Sequence, residues 1–459
     1  MDVFEQFLLD HSDDDTARLL LGRAKWPSID MDMAVHTIEG RRRIQAKVAP
    51  WYAVPSLRYP TRLCTEQCSS AATAHYKAAL AARILADRKG RIADLTGGLG
   101  VDSWAFSEVA QEVLHNEMDP VLSEAVRHNF EKLGVRNMVF RNAAVVPAAN
   151  LPAETAAGAA NSVAGILDGF QPDLIFMDPA RRAEDGRKVF RLEDCQPDVL
   201  TLLPELSEAC PNLLLKISPM ADISLVVSQL NMASLPTQNG GSTDDSLSVM
   251  RVREVHVVGA GGECKELLLW LVRNWNGPGS LHVSEIQDAE GSAATLIFPI
   301  EAETTASPVY ASAIGLTGNL LFEPGKALAK AGLFHTISEH FGLRKLSRHT
   351  HLYLLPKGTP SVPEPTFITS ETPPDASDKT DSVIADFGKV FRILEVHELS
   401  GRVLKAIGKT WPQAEVTARD IPLTSDDLRR RLGVRAGGNI HIFGCRIAGA
   451  PRLLVTERL

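Results

Sequence analysis

The run Asp94-Leu95-Thr96-Gly97-Gly98-Leu99-Gly100-Val101-Asp102 carries the most definite chemistry of the chain. Residues 91–94 read as a strand and 103–113 as a helix, so the glycines fall where a strand turns into a helix. An acid at a strand end, a tight glycine turn and a helix N-terminus together make a cradle for a nucleoside-type cofactor. The spacing is not the G-x-G-x-x-G fingerprint that holds a dinucleotide pyrophosphate. Carboxylates on both sides of the turn suit a cationic or amine-bearing group instead. Four other places could serve the same site: Glu117 and Asp119 in Glu117-Met118-Asp119-Pro120, the pair Asn142-Ala143, the turn Asp178-Pro179-Ala180-Arg181-Arg182, and Lys216 after Leu213-Leu214-Leu215.

These residues recur at the ends of predicted strands. Residues 77–275 alternate helix and strand as a parallel α/β sheet does, with strands over 91–94, 113–117, 138–141, 172–178, 212–217, 252–258 and 267–271. That is a seven-strand count whose last pair reads as an antiparallel hairpin. Residues 1–76 read as a helical region, within which basic and aromatic residues interleave from Arg41 to Arg62. Such a mixture fits either nucleic-acid stacking or aromatics packed onto the next domain. Beyond the sheet, 280–355 reads as a small βαβ-type insertion followed by a basic helix. A Pro/Ser/Thr-rich linker over 356–385 and an α+β module over 386–459 follow.

Composition narrows the function classes. At 459 residues with 44% hydrophobic and 23% charged residues, the chain has room for two to four domains with substantial cores. No apolar run approaches the ~20 residues that span a bilayer, so no membrane role is expected. The first residues lack a signal peptide's basic flank and apolar core. Six scattered cysteines form no disulfide framework, which points to a reducing cytoplasm. Cys64 and Cys68 lack a second ligand pair at zinc spacing, so no metal is expected. A cysteine nucleophile would need a Cys just after the fifth strand, where Ser218-Pro219 stands. Charge is uneven: residues 389–459 hold 13 Lys/Arg against 7 Asp/Glu, a net of +6 on a chain whose total is −8. A basic terminal module points mildly to nucleic acid.

The glycine turn resembles motif I of the class I S-adenosylmethionine-dependent methyltransferases, D/E-x-x-x-G-x-G. The resemblance implies a Rossmann-like α/β sheet and a cofactor site of Asp94, Gly97, Gly98, Gly100, Asp102, Glu117, Asp119, Asn142, Ala143 and Asp178. In it Glu117 would meet the ribose hydroxyls and Asn142-Ala143 the adenine. Asp178-Pro179-Ala180-Arg181 resembles the D-P-P-[RYF] turn of base-modifying methyltransferases, with Ala180 in place of the second proline; Arg181 would face substrate. A second resemblance is to the K-D-K-E tetrad of ribose 2′-O-methyltransferases, which would be Lys77, Asp178, Lys216 and Glu254. There a lysine takes the hydroxyl proton. Taken whole, the chain resembles a bacterial family of class I methyltransferases with a C-terminal THUMP-like domain. It does so most in Glu66-Gln67-Cys68-Ser69-Ser70, the glycine turn, the Asp178 turn, Glu323-Pro324 and Gly437-Gly438-Asn439-Ile440. That resemblance implies a ferredoxin-like module within 280–355 and, through the THUMP-like domain, action on RNA without naming a target; methylation of a tRNA or rRNA base is the first reading and of a ribose hydroxyl the second. The alternative outside enzymology is a non-catalytic RNA-binding protein on a vestigial methyltransferase fold.

Overall fold

The computed structural model describes residues 2–151, 160–181, 192–233, 249–355 and 384–459, and within these Arg181 by its backbone alone. It divides into two compact units, Met1–Ala260 with Lys265–Ala293, and Gly261–Cys264 with Ala294–Leu459.

The first unit is built on β1 (Arg91–Asp94), β2 (Glu112–Asn116), β3 (Met138–Arg141), β4 (Leu174–Met177), β5 (Asn212–Ile217), β6 (Met250–Ala260), β7 (Glu263–Arg273) and β8 (Ser280–Ile286). A ninth, edge strand, β9 (Ala293–Pro299), carries the chain out of the unit; the order is β9-β8-β6-β7-β5-β4-β1-β2-β3. Strands β1 to β5 pair parallel. β7 returns antiparallel against β5, with Lys216 opposite Leu268. Parallel strands covered on both faces need unbroken apolar runs, and Leu174-Ile175-Phe176-Met177 and Leu213-Leu214-Leu215 supply them, all at most 1% exposed. Strand order reverses between β1 and β4. A ligand crevice is therefore expected beyond their carboxyl ends.

Four helices matter to the site or its support: α1 (Met31–Lys47), α2 (Ala71–Ile84), α3 (Val101–Val109) and α4 (Pro120–Lys132). Ser70 caps α2 by accepting the Thr73 N–H, and the buried Ala74, Ala78 and Ala81 let that helix lie close on its neighbours. Part of the basic and aromatic stretch 41–62 packs inward, while Arg42, Tyr52 and Arg62 stay exposed. Trp51 and Tyr59 are fully buried, the Arg41 guanidinium donates to the Val54 and Tyr52 carbonyls, and Lys47 donates to those of Thr65 and Glu66. Packing is therefore the use made of Trp51, Tyr59, Arg41 and Lys47.

Two expectations need correction. The sheet has nine strands rather than seven, and Ser280–Ile286, read above as the start of an insertion, pairs parallel with β6. Such a pairing is non-local, so turn signals around Gly277-Pro278-Gly279 disguise it as a domain boundary. The two C-terminal modules, drawn as separate, share one eight-stranded sheet in the second unit. Its strand Gly388–Glu398 pairs antiparallel with both Leu320–Pro324 and Ala450–Arg458. The helices Gly401–Thr410 and Ser425–Leu432 cover its far end, burying Leu404, Ile407, Leu428 and Leu432 against Ile442 and Val455. The loop expected near 239–248 and most of the 356–385 linker lie outside the described residues.

Candidate active site

The turn after β1 uses each glycine differently. A Cβ on Gly97 would fall 2.1 Å from the His115 ring. Gly98 and Gly100 adopt φ of +54° and +87°, where side chains are strained. The Gly97 N–H donates to the Asn116 carbonyl at 2.7 Å and the Gly98 N–H to Glu117 Oε2 at 2.9 Å, tying the turn to the end of β2. Asp94 is buried beneath. It accepts from Ser103 Oγ at 2.6 Å, and Ser103 Oγ also lies 2.9 Å from His115 Nδ1. Burial, reinforced by the neighbouring Asp102 and Asp178 carboxylates, pushes Asp94 up to about 7.

Glu117 stands at the end of β2, half-buried, and burial raises it above the ordinary glutamate range. Nothing lies within 4 Å of the place a Gly98 side chain would take, so the space beside Glu117 is open. Met118 and Val121 flank it, 61% and 55% exposed, an apolar edge that the sequence reading passed over. These residues fit a nucleoside with a ribose at Glu117. Asp119 is placed otherwise: it caps α4, accepting from the Val121 and Leu122 N–H groups. The Asn142 amide donates to the Glu117 and Met118 carbonyls, and the Ala143 N–H donates to Asn116 Oδ1 at 3.2 Å. Asn142 and Ala143 thus brace the loop, and the Asn142 side-chain amide and the Ala143 N–H are already committed.

Beside the turn lies a cluster of opposite charges. Lys77 on α2 is fully buried and donates to Glu266 Oε1 and Oε2 at 2.7 and 2.9 Å; its ammonium also lies 3.2 Å from Asp102 Oδ1. Lys216, at the end of β5, donates to Asp178 Oδ2 at 2.6 Å and lies 3.9 Å from both Asp102 Oδ2 and Glu266 Oε2. Ser69 sits between the two lysines, donating to Asp102 Oδ2 at 2.8 Å. The Asp178 N–H donates to Thr96 Oγ1 at 2.6 Å, which joins the cluster to the glycine turn. Burial opposes the Lys216 ammonium, but Asp178, Asp102 and Glu266 outweigh it and hold that amine well above the ordinary lysine range. Burial likewise opposes the Asp102 carboxylate, and Lys77 and Lys216 outweigh it, leaving Asp102 below the usual range.

Three of the four tetrad candidates, Lys77, Asp178 and Lys216, therefore meet. Glu254 does not. It is paired with the Arg83 guanidinium and accepts from His256 Nε2 at 3.0 Å. Glu266 takes its expected place, because β7 runs antiparallel to β5 and the pleat puts residues 266 and 268 on the face of Lys216. One signal could have found it: a lone carboxylate opening the apolar run Leu267-Leu268-Leu269 must be given a partner once buried. Ala180–Arg181 forms a short strand with Cys195–Gln196. The side chain of Arg181 and all of Arg182 lie outside what the structure describes. Among the described residues, one group with metal-ligand chemistry converges, Glu254, His256 and His282. There the Arg83 guanidinium already takes the place a cation would occupy on Glu254.

Known proteins place this geometry. A crystal structure of a candidate methyltransferase from Porphyromonas gingivalis W83 superposes with a TM-score of 0.74 and 28% identity, covering 99% of this chain and 97% of that one. The first unit thus has the class I methyltransferase fold. An uncharacterized S-adenosylmethionine-dependent methyltransferase of Mycobacterium tuberculosis, from strains CDC 1551 and H37Rv, is 23% identical over 92% of this chain and 94% of its own. In the second unit, residues 388–458 match a THUMP domain-like family and residues 320–363 a ferredoxin-like domain. The unit with that fold carries the glycine turn, Glu117 and the lysine cluster. The THUMP-like domain carries the basic tail. Among the described residues no helix is long and apolar enough to cross a membrane.

Proposed function

We propose that this S-adenosylmethionine-dependent methyltransferase acts on RNA and that its acceptor is a hydroxyl, a ribose 2′-OH in the first place. The observation that carries the reading is the contact of Lys216 with Asp178, backed by Lys77 on Glu266. Asp94, the glycine turn and Glu117 would hold the cofactor, which when bound supplies an electrophilic methyl group. An amine acceptor attacks with its own lone pair and needs only a hydrogen-bond acceptor such as Asp178. A hydroxyl must shed its proton as its oxygen becomes nucleophilic. Asp178, 37% exposed at its side chain, is the acceptor open to that proton, and the Lys216 ammonium can steady the charge left on oxygen. Burying two ammoniums among three carboxylates costs desolvation and is poor evidence of a stability device. An oxygen nucleophile gives that cost a purpose.

The RNA part of the reading is supported by the THUMP-like match and the +6 charge of residues 389–459. Affinity for bulk tRNA that falls steeply with salt is expected. To test the acceptor, RNA methylated with label from S-adenosylmethionine is hydrolysed in alkali. Methyl on a 2′-oxygen blocks cleavage and leaves labelled dinucleotides, whereas base methylation leaves labelled mononucleotides and would overturn the hydroxyl reading. Lys216→Ala should abolish transfer with cofactor binding intact; retained turnover argues for a base acceptor.

A further inference from the structure

The cluster is not electrically balanced. Asp102, Asp178 and Glu266 face Lys77 and Lys216, a formal charge of −1. Of these carboxylates Asp102 stands in the first turn of α3, directly after the glycine turn. Its Oδ2 accepts from Ser69. Its Oδ1 is buried, receives no hydrogen bond among the described residues, and has the Lys77 ammonium beside it at 3.2 Å. Asp102 Oδ1 is thus held by an ion pair and not by a hydrogen bond at the foot of the glycine turn. The neighbourhood reports the same sign of potential: burial first, and then the Asp102 and Asp178 carboxylates, suppress ionisation of Asp94.

We infer that Asp102 makes this site select by charge, binding the cationic methyl donor in preference to its neutral thioether product. The inference rests on the reading that the turn holds S-adenosylmethionine. Donor and product differ by one methyl group and one positive charge, so shape discriminates weakly between them and a carboxylate discriminates well. The surplus charge is neutralised when the sulfonium is present and restored once the methyl group has left and Asp178 has released the proton it took from the hydroxyl. Product then departs from a site that no longer attracts it.

Calorimetry on the full chain tests this with three probes: S-adenosylmethionine, S-adenosylhomocysteine and sinefungin, whose amine restores the positive charge. The two cations should bind about tenfold or more tightly than S-adenosylhomocysteine, the scale of one screened unit charge. Asp102→Asn should bring the three to within about twofold by weakening the cations alone, since one carboxylate is removed and the cavity is kept. A nearby cation also lowers the Asp94 carboxyl, so donor binding at pH 7 should release protons while product binding should not; titration in buffers of different ionisation heat reads this. Product bound by the unmutated protein as tightly as donor overturns the inference, whatever Asp102→Asn does to folding. An equal loss of all three ligands in a folded variant also overturns it. If none of the three binds the folded, unmutated protein, it is the cofactor reading that falls.

Discussion

Replacing Lys77 by Met should expose what holds the cluster together. Methionine keeps most of the lysine stem's volume, so little cavity is created around a side chain with no exposed surface. What disappears is the ammonium that contacts Glu266 at 2.7 Å and Asp102 at 3.2 Å, two carboxylates that are themselves at least nine-tenths buried. Lys216 lies 3.9 Å from each and is already bonded to Asp178, so it cannot replace both contacts. Removing one partner of a buried ion pair costs about 3–5 kcal/mol, most of it the desolvation of the charge left behind. Unfolding in urea followed by tryptophan fluorescence reports the right region, since five of the six tryptophans lie in the first unit. The companion variant is Lys77→Met with Glu266→Gln. Removing the orphaned charge should recover at least about half of the loss, because a neutral amide is far cheaper to bury than a carboxylate. In the single variant Glu266 should bind a proton more readily when folded than unfolded. Stability should then return as the pH falls towards 5. A loss under about 1 kcal/mol, or no recovery in the double variant, would refute the claim that the lysine is an obligatory counter-charge.

Three further outcomes follow from other parts of the molecule. Gly97→Ala places a methyl group 2.1 Å from the His115 ring, so it should cost about 1–3 kcal/mol and weaken cofactor binding; adding His115→Ala should restore part of the melting temperature. Asp94, held near 7, contributes stability that is complete below the ordinary aspartate range and is lost as the pH rises through 7, up to about 4 kcal/mol for a shift of roughly three units. Asp94→Asn should therefore flatten the melting temperature between pH 5 and 8.5, and an unchanged slope would count against burial as the cause. In the THUMP-like domain Arg402, Lys405 and Lys409 are exposed on the helix Gly401–Thr410. Reversing all three should weaken tRNA binding and flatten its salt dependence by up to about three in log–log slope, read by fluorescence anisotropy.

What the sequence disclosed about the site depends on how local each residue's placement is. Asp94, Glu117, Asp178 and Lys216 could be located because each stands at or just past the end of a strand, and in a parallel sheet every such end opens on the same edge. Lys77 could be located because a helix before the first strand must pack beside the turn. Glu266 could not. Its place depends on the register of β7 against β5, some fifty residues away in sequence, and Glu254 on the preceding strand offered an equally plausible acid. Local chemistry misled in the other direction at Asp119 and Asn142, which have the residue types of a ligand site and the tasks of a helix cap and a loop brace. The distinction bears on function. Capping residues recover their outlay in local hydrogen bonds, whereas Lys77, Lys216, Asp102, Asp178 and Glu266 come from five separate elements or their ends, and all but the partly exposed Asp178 are buried at a desolvation cost that pairing alone rarely repays. Groups gathered from so far apart, and still left with one carboxylate in excess, are best explained by a cation that arrives with the reaction.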